Sequence, residues 1–302
     1  EQYPQARFCL WLQSQGLFEK VKAAIEGGGK SFERELNNLY VSGPIARAVM
    51  ECDSQFAASE AEAKQLNEAY LHWVRTGHPF TILKAGMTLD GQIATAKGES
   101  QWITDEAARQ QAHRLRADVD AILVGIGTVL RDNPQLTARL TDGPARLAPR
   151  QPLRIVVDSR LRIPLKAKVL QDQQTAHTLI ATTAAASGRK IALLRKRGID
   201  VLVLPKAGGH VNLPVLWARL GQLGVTTVLV EGGSDLNAAV LQAGLPQRLM
   251  WYVAPLLLGG QDAKGIFGGQ SPHRLRNAVP LKNLRIEPVG RDMLIQADFS
   301  TR

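Results

Sequence analysis

The chain has 302 residues, 45% hydrophobic and 21% charged, enough to bury one large core or two smaller ones. No apolar run approaches the ~18–20 residues of a membrane span, and the opening "EQYPQARFCLWLQ" lacks a signal peptide's apolar core, so a cytoplasmic protein is expected. The formal net charge of +10 is uneven: residues 1–79 carry 8 Lys/Arg against 10 Asp/Glu, whereas residues 80–302 carry 29 against 17.

Residues 1–58 resist assignment, with two helix-like stretches broken by "GGGK". From Ser59 the pattern sharpens. "SEAEAKQLNEAYLHWVRTG" has a capping box in Ser59 and Glu62 and a stop at Gly77, predicting a linker helix over 59–79. Strands and helices then alternate. "FTILKA" is a predicted strand, "TDEAARQQAHRLRA" a helix, and "DAILVGI", "LRIVVD" and "HTLIAT" are strands. "GRKIALLRKRG" is a helix, "IDVLVL" a strand, and "LPVLWARLGQLG" a helix. "VTTVLV" is a strand buried on both faces, ending on Glu231 and two glycines. A helix follows, with Ser234 and Asp235 as expected N-caps and Gly244 as its close. "RLMWYVAP", "NLRIEPV" and "MLIQADF" are strands with no helix between the last two. The expected fold is α/β: a mostly parallel central sheet with an antiparallel C-terminal edge and flanking helices. Residues 80–302 suffice for one such domain.

The basic second part suits nucleic acid, small phosphorylated ligands, or a plain solvated surface. Aromatic residues make up only 5% and do not interleave with basic runs, which counts against a single-strand platform. Cys9 and Cys52 cannot form a disulfide framework, in keeping with a reducing compartment. There is no G-x-G-x-x-G after a strand, no P-loop, and no G-x-S-x-G around Ser42. The six histidines show no ligand spacing, so no metal site is expected.

Four clusters fall at predicted strand ends, where open α/β sheets bind ligands. In "LKAGMTLDGQIATAKGESQWIT", Lys84 is placed at a strand end, and "GES" before Trp102 forms either a loop over a ligand or a plain hairpin. "VGIGTVLRDNPQLTAR" supplies Thr128, Asp132, Asn133, Leu136 and Arg139. "VVDSRLRIP" supplies Ser159, Arg160 and Arg162, a hydroxyl and guanidinium set that suits a ribose 2′-phosphate. The fourth is "EGGS", a helix N-terminus that favours phosphate.

Together "LKAGMTLDGQIA", "GESQWIT", "HRLRADVDAILVGIGTVLRDNPQLTAR", "RIVVDS", "VEGGSDLNAAVLQAGL" and "YVAPLLLGG" resemble the reductase domain of the bacterial riboflavin-biosynthesis protein RibD, from about Ser59 to the C-terminus. The resemblance implies a dihydrofolate-reductase-like fold. It also implies NADPH-dependent reduction of 5-amino-6-(5-phospho-D-ribosylamino)uracil to the ribitylamino compound. It assigns NADPH contacts to Gly86, Trp102, Thr128, Asp132 and Ser159, with Arg160 beside the last. Gly233, Ser234, Asp235, Leu236, Asn237, Ala238 and Ala239 would surround the cofactor phosphates. Ser100, Arg116, Leu136, Arg139 and Glu231 would hold the phosphorylated pyrimidine, the arginines at its phosphate. Lys84 would touch the pyrimidine, Glu231 would accept its hydrogen bonds, and Asp132 would orient the transfer directly or through water. The family's N-terminal zinc deaminase cannot be built from residues 1–58, which hold no histidine and two distant cysteines. A separate deaminase is therefore expected, together with a homodimer and with no nucleic-acid or membrane partner. The alternatives are a related reductase for a diaminopyrimidine or folate-like substrate and, from another class, a basic nucleic-acid-binding protein.

Overall fold

The computed structural model describes residues 67–140 and 150–300, and the chain divides into two units, Glu1–Val74 and Arg75–Arg302. The readings for residues 1–58 and for the Ser59/Glu62 capping box lie outside the described residues. The C-terminal part of the expected linker is helix α1 (Glu68–Thr76), and Gly77 follows with φ +68°, as a helix stop requires.

In the second unit the alternation read from the sequence is present almost element for element. β1 (Phe80–Thr88) and the short β2 (Gln92–Ala94) precede α2 (Glu106–Asp118), β3 (Ala121–Gly125) and α3 (Ile126–Asp132). β4 (Leu153–Val157), β5 (Thr178–Thr183), α4 (Gly188–Lys196) and β6 (Asp200–Leu204) follow. A small ribbon, β7 (Lys206–Ala207) with β8 (His210–Val211), leads into α5 (Leu213–Gln222). β9 (Thr227–Val230), α6 (Ser234–Gln242), β10 (Arg248–Ala254) and β11 (Lys264–Gly265) come next, and the hairpin β12 (Leu281–Val289) and β13 (Asp292–Phe299) ends the fold.

Nine strands form one sheet in the order β12-β13-β10-β1-β9-β3-β4-β5-β6. The seven from β10 to β6 are mutually parallel, while β13 pairs antiparallel with both β10 and β12. β9 enters late, between β1 and β3, and β10 then flanks β1 on its other side. The topological switch lies there, where ligand crevices open beyond the strands' carboxyl ends.

Period-two alternation divides the central strands between two cores. Leu123, Ile155 and Ala181 face a core with Leu216, Trp217 and Leu220 of α5; Ile122, Val156 and Ile180 face one with Val129 of α3 and Leu194 of α4. Strands covered on both sides must be apolar throughout, which is why they read as continuous runs.

One boundary needs correction. Lys84 does not end its strand but lies mid-way along β1, because pairing with β10 continues to Thr88 opposite Ala254. Gly86 does not break the strand. It makes room: a Cβ there would lie 3.1 Å from Thr104 Cγ2.

Trp217 is fully buried, and its indole N–H donates to Thr81 Oγ1 at 2.7 Å. Replacing Thr81 by Val leaves that donor without its acceptor and should cost about 1–3 kcal/mol. The check is a lower urea midpoint at unchanged slope; an unchanged midpoint would contradict it.

Candidate active site at the sheet switch point

Val230 is paired with Leu83 on one side and Leu123 on the other, so the next residue, Glu231, stands between Lys84 and Val124. Its backbone N–H donates to Leu123 O at 3.0 Å, which holds the position beyond the end of β9. α2 begins under an Asp105 cap and carries Arg116 in its last turn, where a cation complements the helix dipole. Arg116 grips Glu231 with a two-pronged fork: Nε to Oε1 at 2.9 Å and Nη2 to Oε2 at 2.7 Å. Both side chains are mostly shielded, 16% and 12% exposed.

Burial by itself would raise the Glu231 pKa. The charge of Arg116, then that of Lys84, outweighs burial and holds the carboxyl down at about 2. For Lys84 burial is the leading influence and lowers the pKa; Glu231 opposes this and Arg116 adds to it. The Lys84 ammonium sits 5.3 Å from the ring centroid of Tyr252, whose own pKa is pushed up to about 12 by burial and by Glu231. His113, one turn before Arg116, accepts the Arg139 backbone N–H at Nδ1 (3.3 Å). Its Nε2 lies 3.4 Å from the Arg139 guanidinium. Burial, Arg116 and Arg139 all lower the His113 pKa.

The start of α6 lies just past Glu231. Its cap is Gly233, with φ −81° and ψ 178°, and not Ser234 or Asp235 as expected from the sequence. Ser234 is drawn away from a capping role because its hydroxyl donates to the Gly265 carbonyl. The Gly268 N–H in turn donates to Ser234 O at 3.0 Å, and the Asn237 amide donates to Ile266 O at 3.1 Å. Segment 265–268 is thus laced to the helix start. A Cβ on Gly232 would lie 2.9 Å from Leu236 Cδ2 and 3.0 Å from Asn237 Oδ1, so the approach to this helix demands glycine.

Lys84, Arg116 and Glu231 form one cluster. Thr128 lies near Gly233, where an added Cβ would be 3.9 Å from Thr128 Oγ1. Asp132 closes α3 half-buried, its pKa raised by burial against the pull of Arg131. Gly98 of the "GES" loop rests on α3, a Cβ there falling 3.0 Å from Arg131 Nε. Ser100 is half-buried beside it in sequence, and Trp102 is 68% exposed with the Arg109 guanidinium 4.8 Å over its ring. Leu236 and Ala239 are partly buried, Asp235 is exposed, and Asn237 and Ala238 are buried, so the last two cannot offer side chains to a ligand. Leu136 is likewise buried, with φ +57°, while Arg139 is exposed. Ser159 and Arg160 follow β4, two strands along from β9. Ser159 Oγ accepts the Val211 N–H at 3.0 Å, and Arg160 is exposed.

Several contributors escape the sequence reading. His113 was one of six scattered histidines, although its i, i+3 spacing to Arg116 puts both on one helix face. Tyr252 lies within "RLMWYVAP", which predicts a strand and singles out no side chain, and "GIFGG" carries no assignment.

The family model for the RibD C-terminal domain matches residues 79–295. The chain belongs to the RibD C-terminal domain family. RibD of Actinobacillus pleuropneumoniae is 40% identical over 234 residues, 78% of this chain and 60% of that protein. The 2,5-diamino-6-ribosylamino-4(3H)-pyrimidinone 5′-phosphate reductase of Methanothermobacter thermautotrophicus is 38% identical over 72% of this chain and 97% of its own length. Among solved structures, Acinetobacter baumannii RibD (form 1) superposes with TM-score 0.69 at 33% identity, covering 80% of this chain and 64% of that one. The chain spans less than two thirds of the length of the RibD relatives it matches. The nine-stranded sheet is accordingly of the dihydrofolate-reductase-like kind, and the family is one of oxidoreductases of riboflavin biosynthesis, which implies a nicotinamide cofactor.

Glu231, held ionised by Arg116 and Lys84, makes a pH-dependent contribution to stability. Its folded pKa of about 2 lies below the ordinary 4.5, so the contribution is present above pH 4.5 and is lost as pH falls through 2. The expected size is about 3 kcal/mol. Glu231→Gln should unfold with a shallower dependence than the parent between those limits, measured by urea titration at stepped pH. Parallel curves would contradict it.

Proposed function

We propose that the chain reduces 5-amino-6-(5-phospho-D-ribosylamino)uracil to its ribitylamino product with NADPH. The observation that carries this is Glu231, held ionised by Arg116 and Lys84 at the switch point, two residues before the Gly233 cap of α6. An ionised carboxylate accepts hydrogen bonds and cannot donate them. It therefore suits a ring presenting N–H groups, as an aminouracil does.

The residues at the helix start fit a dinucleotide cofactor. Gly232 and Gly233 present bare backbone, and the first N–H groups of α6 provide the partial positive charge that pyrophosphate seeks. Thr128, Gly86, Ser100 and Trp102 would line the nicotinamide and substrate end. Ser159 and Arg160 would take the ribose 2′-phosphate. The Ser159 oxygen already accepts from Val211, which leaves its hydrogen to donate. A reduced nicotinamide held by these residues would supply the hydride for C1′ of the open-chain imine, with the C=N electron pair going to nitrogen and a proton taken up there. Lys84 and Glu231 hold the pyrimidine so that C1′ meets that face, and Asp132 orients the transfer directly or through water. Of the two arginines assigned to the substrate phosphate, Arg116 is committed to Glu231 and acts through it. Arg139, exposed at the rim beside His113, takes the phosphate itself.

The terminal hairpin exposes Leu281, Leu284, Ile286 and Met293, an apolar edge that supports the expected homodimer. No helix among the described residues is long and apolar enough to cross a membrane. A place in the cytoplasm is part of the same proposal, supported by the biosynthetic family to which the chain belongs.

Two measurements bear on this reading. NADPH oxidation should proceed with the deaminated ribosylaminouracil phosphate and not with its 2-amino precursor. Turnover with the precursor alone would move the assignment to the substrate in the archaeal relative's name. Arg160→Ala should lower kcat/KM for NADPH by about tenfold and leave NADH unchanged, since only the 2′-phosphate loses a partner. An equal loss with both cofactors would remove Arg160 from that role.

A further inference from the structure

Lys84 has an electrostatic problem that the ion pair beside it does not solve. Glu231 already accepts from Arg116 with both oxygens, so two cations share one carboxylate. Burial and the charge of Arg116 both push the Lys84 ammonium toward its neutral form. The groups facing it are Glu231 beyond β9, Arg116 from α2 and Tyr252 from β10, with His113 acting on the same carboxylate.

Register explains how Tyr252 reaches it. Lys84 pairs with Met250, and Gly86 pairs with Tyr252, so Tyr252 is the diagonal neighbour of Lys84 on the same face. Gly86 has no side chain to separate them. The ring is 1% exposed and packs with Ala108 of α2 and with Val289 and Leu294 of the terminal hairpin, which fixes its plane. The ammonium lies 5.3 Å from its centroid, within cation–π range.

We infer that the Tyr252 ring is a positioning residue, a π-face seat that keeps Lys84 charged and aimed at the substrate beside Glu231. This rests on the reading that Lys84 contacts the pyrimidine. The ring favours the charged form, so removing it lowers the pH at which Lys84 loses its proton. Activity that needs the ammonium is lost as pH rises through that value.

The test uses the full chain with ¹³C-dimethylated lysines, the Lys84 signal being assigned by its loss in Lys84→Arg. Its NMR midpoint is followed in the parent, Tyr252→Phe and Tyr252→Leu, with Tyr252→Met in place of Leu if that variant does not fold. The ring-less variants should titrate about half to one pH unit lower, whereas Phe, which keeps the ring, should match the parent. The alkaline limb of kcat/KM should move by the same amount in the same variants. A midpoint unchanged without the ring, or shifted as far by Phe as by Leu, overturns the seat. A midpoint that shifts as expected while the alkaline limb stays still upholds the seat and overturns the role of Lys84 in turnover.

Discussion

The fork between Arg116 and Glu231 is the interaction on which the site depends. A carboxylate at the mouth of a crevice can be an acid, a base or an acceptor, and its surroundings decide which. Here the guanidinium matches the carboxylate plane with two near-ideal hydrogen bonds, in a setting where little solvent weakens them. The result is a fixed negative charge, unable to give or take a proton near neutrality. In the proposed reduction Glu231 is therefore suited to recognition, and the proton would come by another route. Lys84 completes a compact cation–anion–cation group, and the order of β10, β1, β9 and β3 in the sheet explains why its members meet.

That order also explains why the late strands matter most. The chain lays down β3 to β6 outward on one side before β9 returns to the gap beside β1. The last strand to enter the middle delivers both the acidic residue and, immediately after it, the helix start. Segment 265–268 then ties that start down through Ser234 and Asn237, and the Ile266 N–H donates to Gly91 O at 3.2 Å. Phe267 packs against the core and edge-on to Trp251, anchoring the tie. The start of α6 is thereby linked to the turn after β1.

Most of the fold was legible because parallel strands covered on both faces must be apolar and bounded by turns, as in "AILVG", "RIVV" and "TVLV". The errors have local causes. Lys84 looked like a strand end because a lysine with a glycine two residues on breaks an apolar run, yet the facing strand β10 continues past it. Ser234 looked like a cap because serine usually caps, yet a carbonyl 31 residues later claims its hydroxyl. Glu231 was conspicuous as a carboxylate after an apolar strand, but its partner is 115 residues away and no spacing rule reaches that far. The family likeness could name Arg116 and Glu231 as substrate residues; it could not show that each is first a partner of the other. Tyr252 was hidden because an aromatic residue in a strand is ordinary core until a cation is found above it.

The most direct measurement is the carboxyl ¹³C resonance of Glu231 across pH, alone and with each ligand. The expected result is a shift that stays flat from neutrality to below pH 3.5, moves when the ribosylaminouracil phosphate binds, and does not move with NADPH alone. Titration near 4.5, or a resonance indifferent to the pyrimidine, would contradict a carboxylate fixed in charge for reading the substrate.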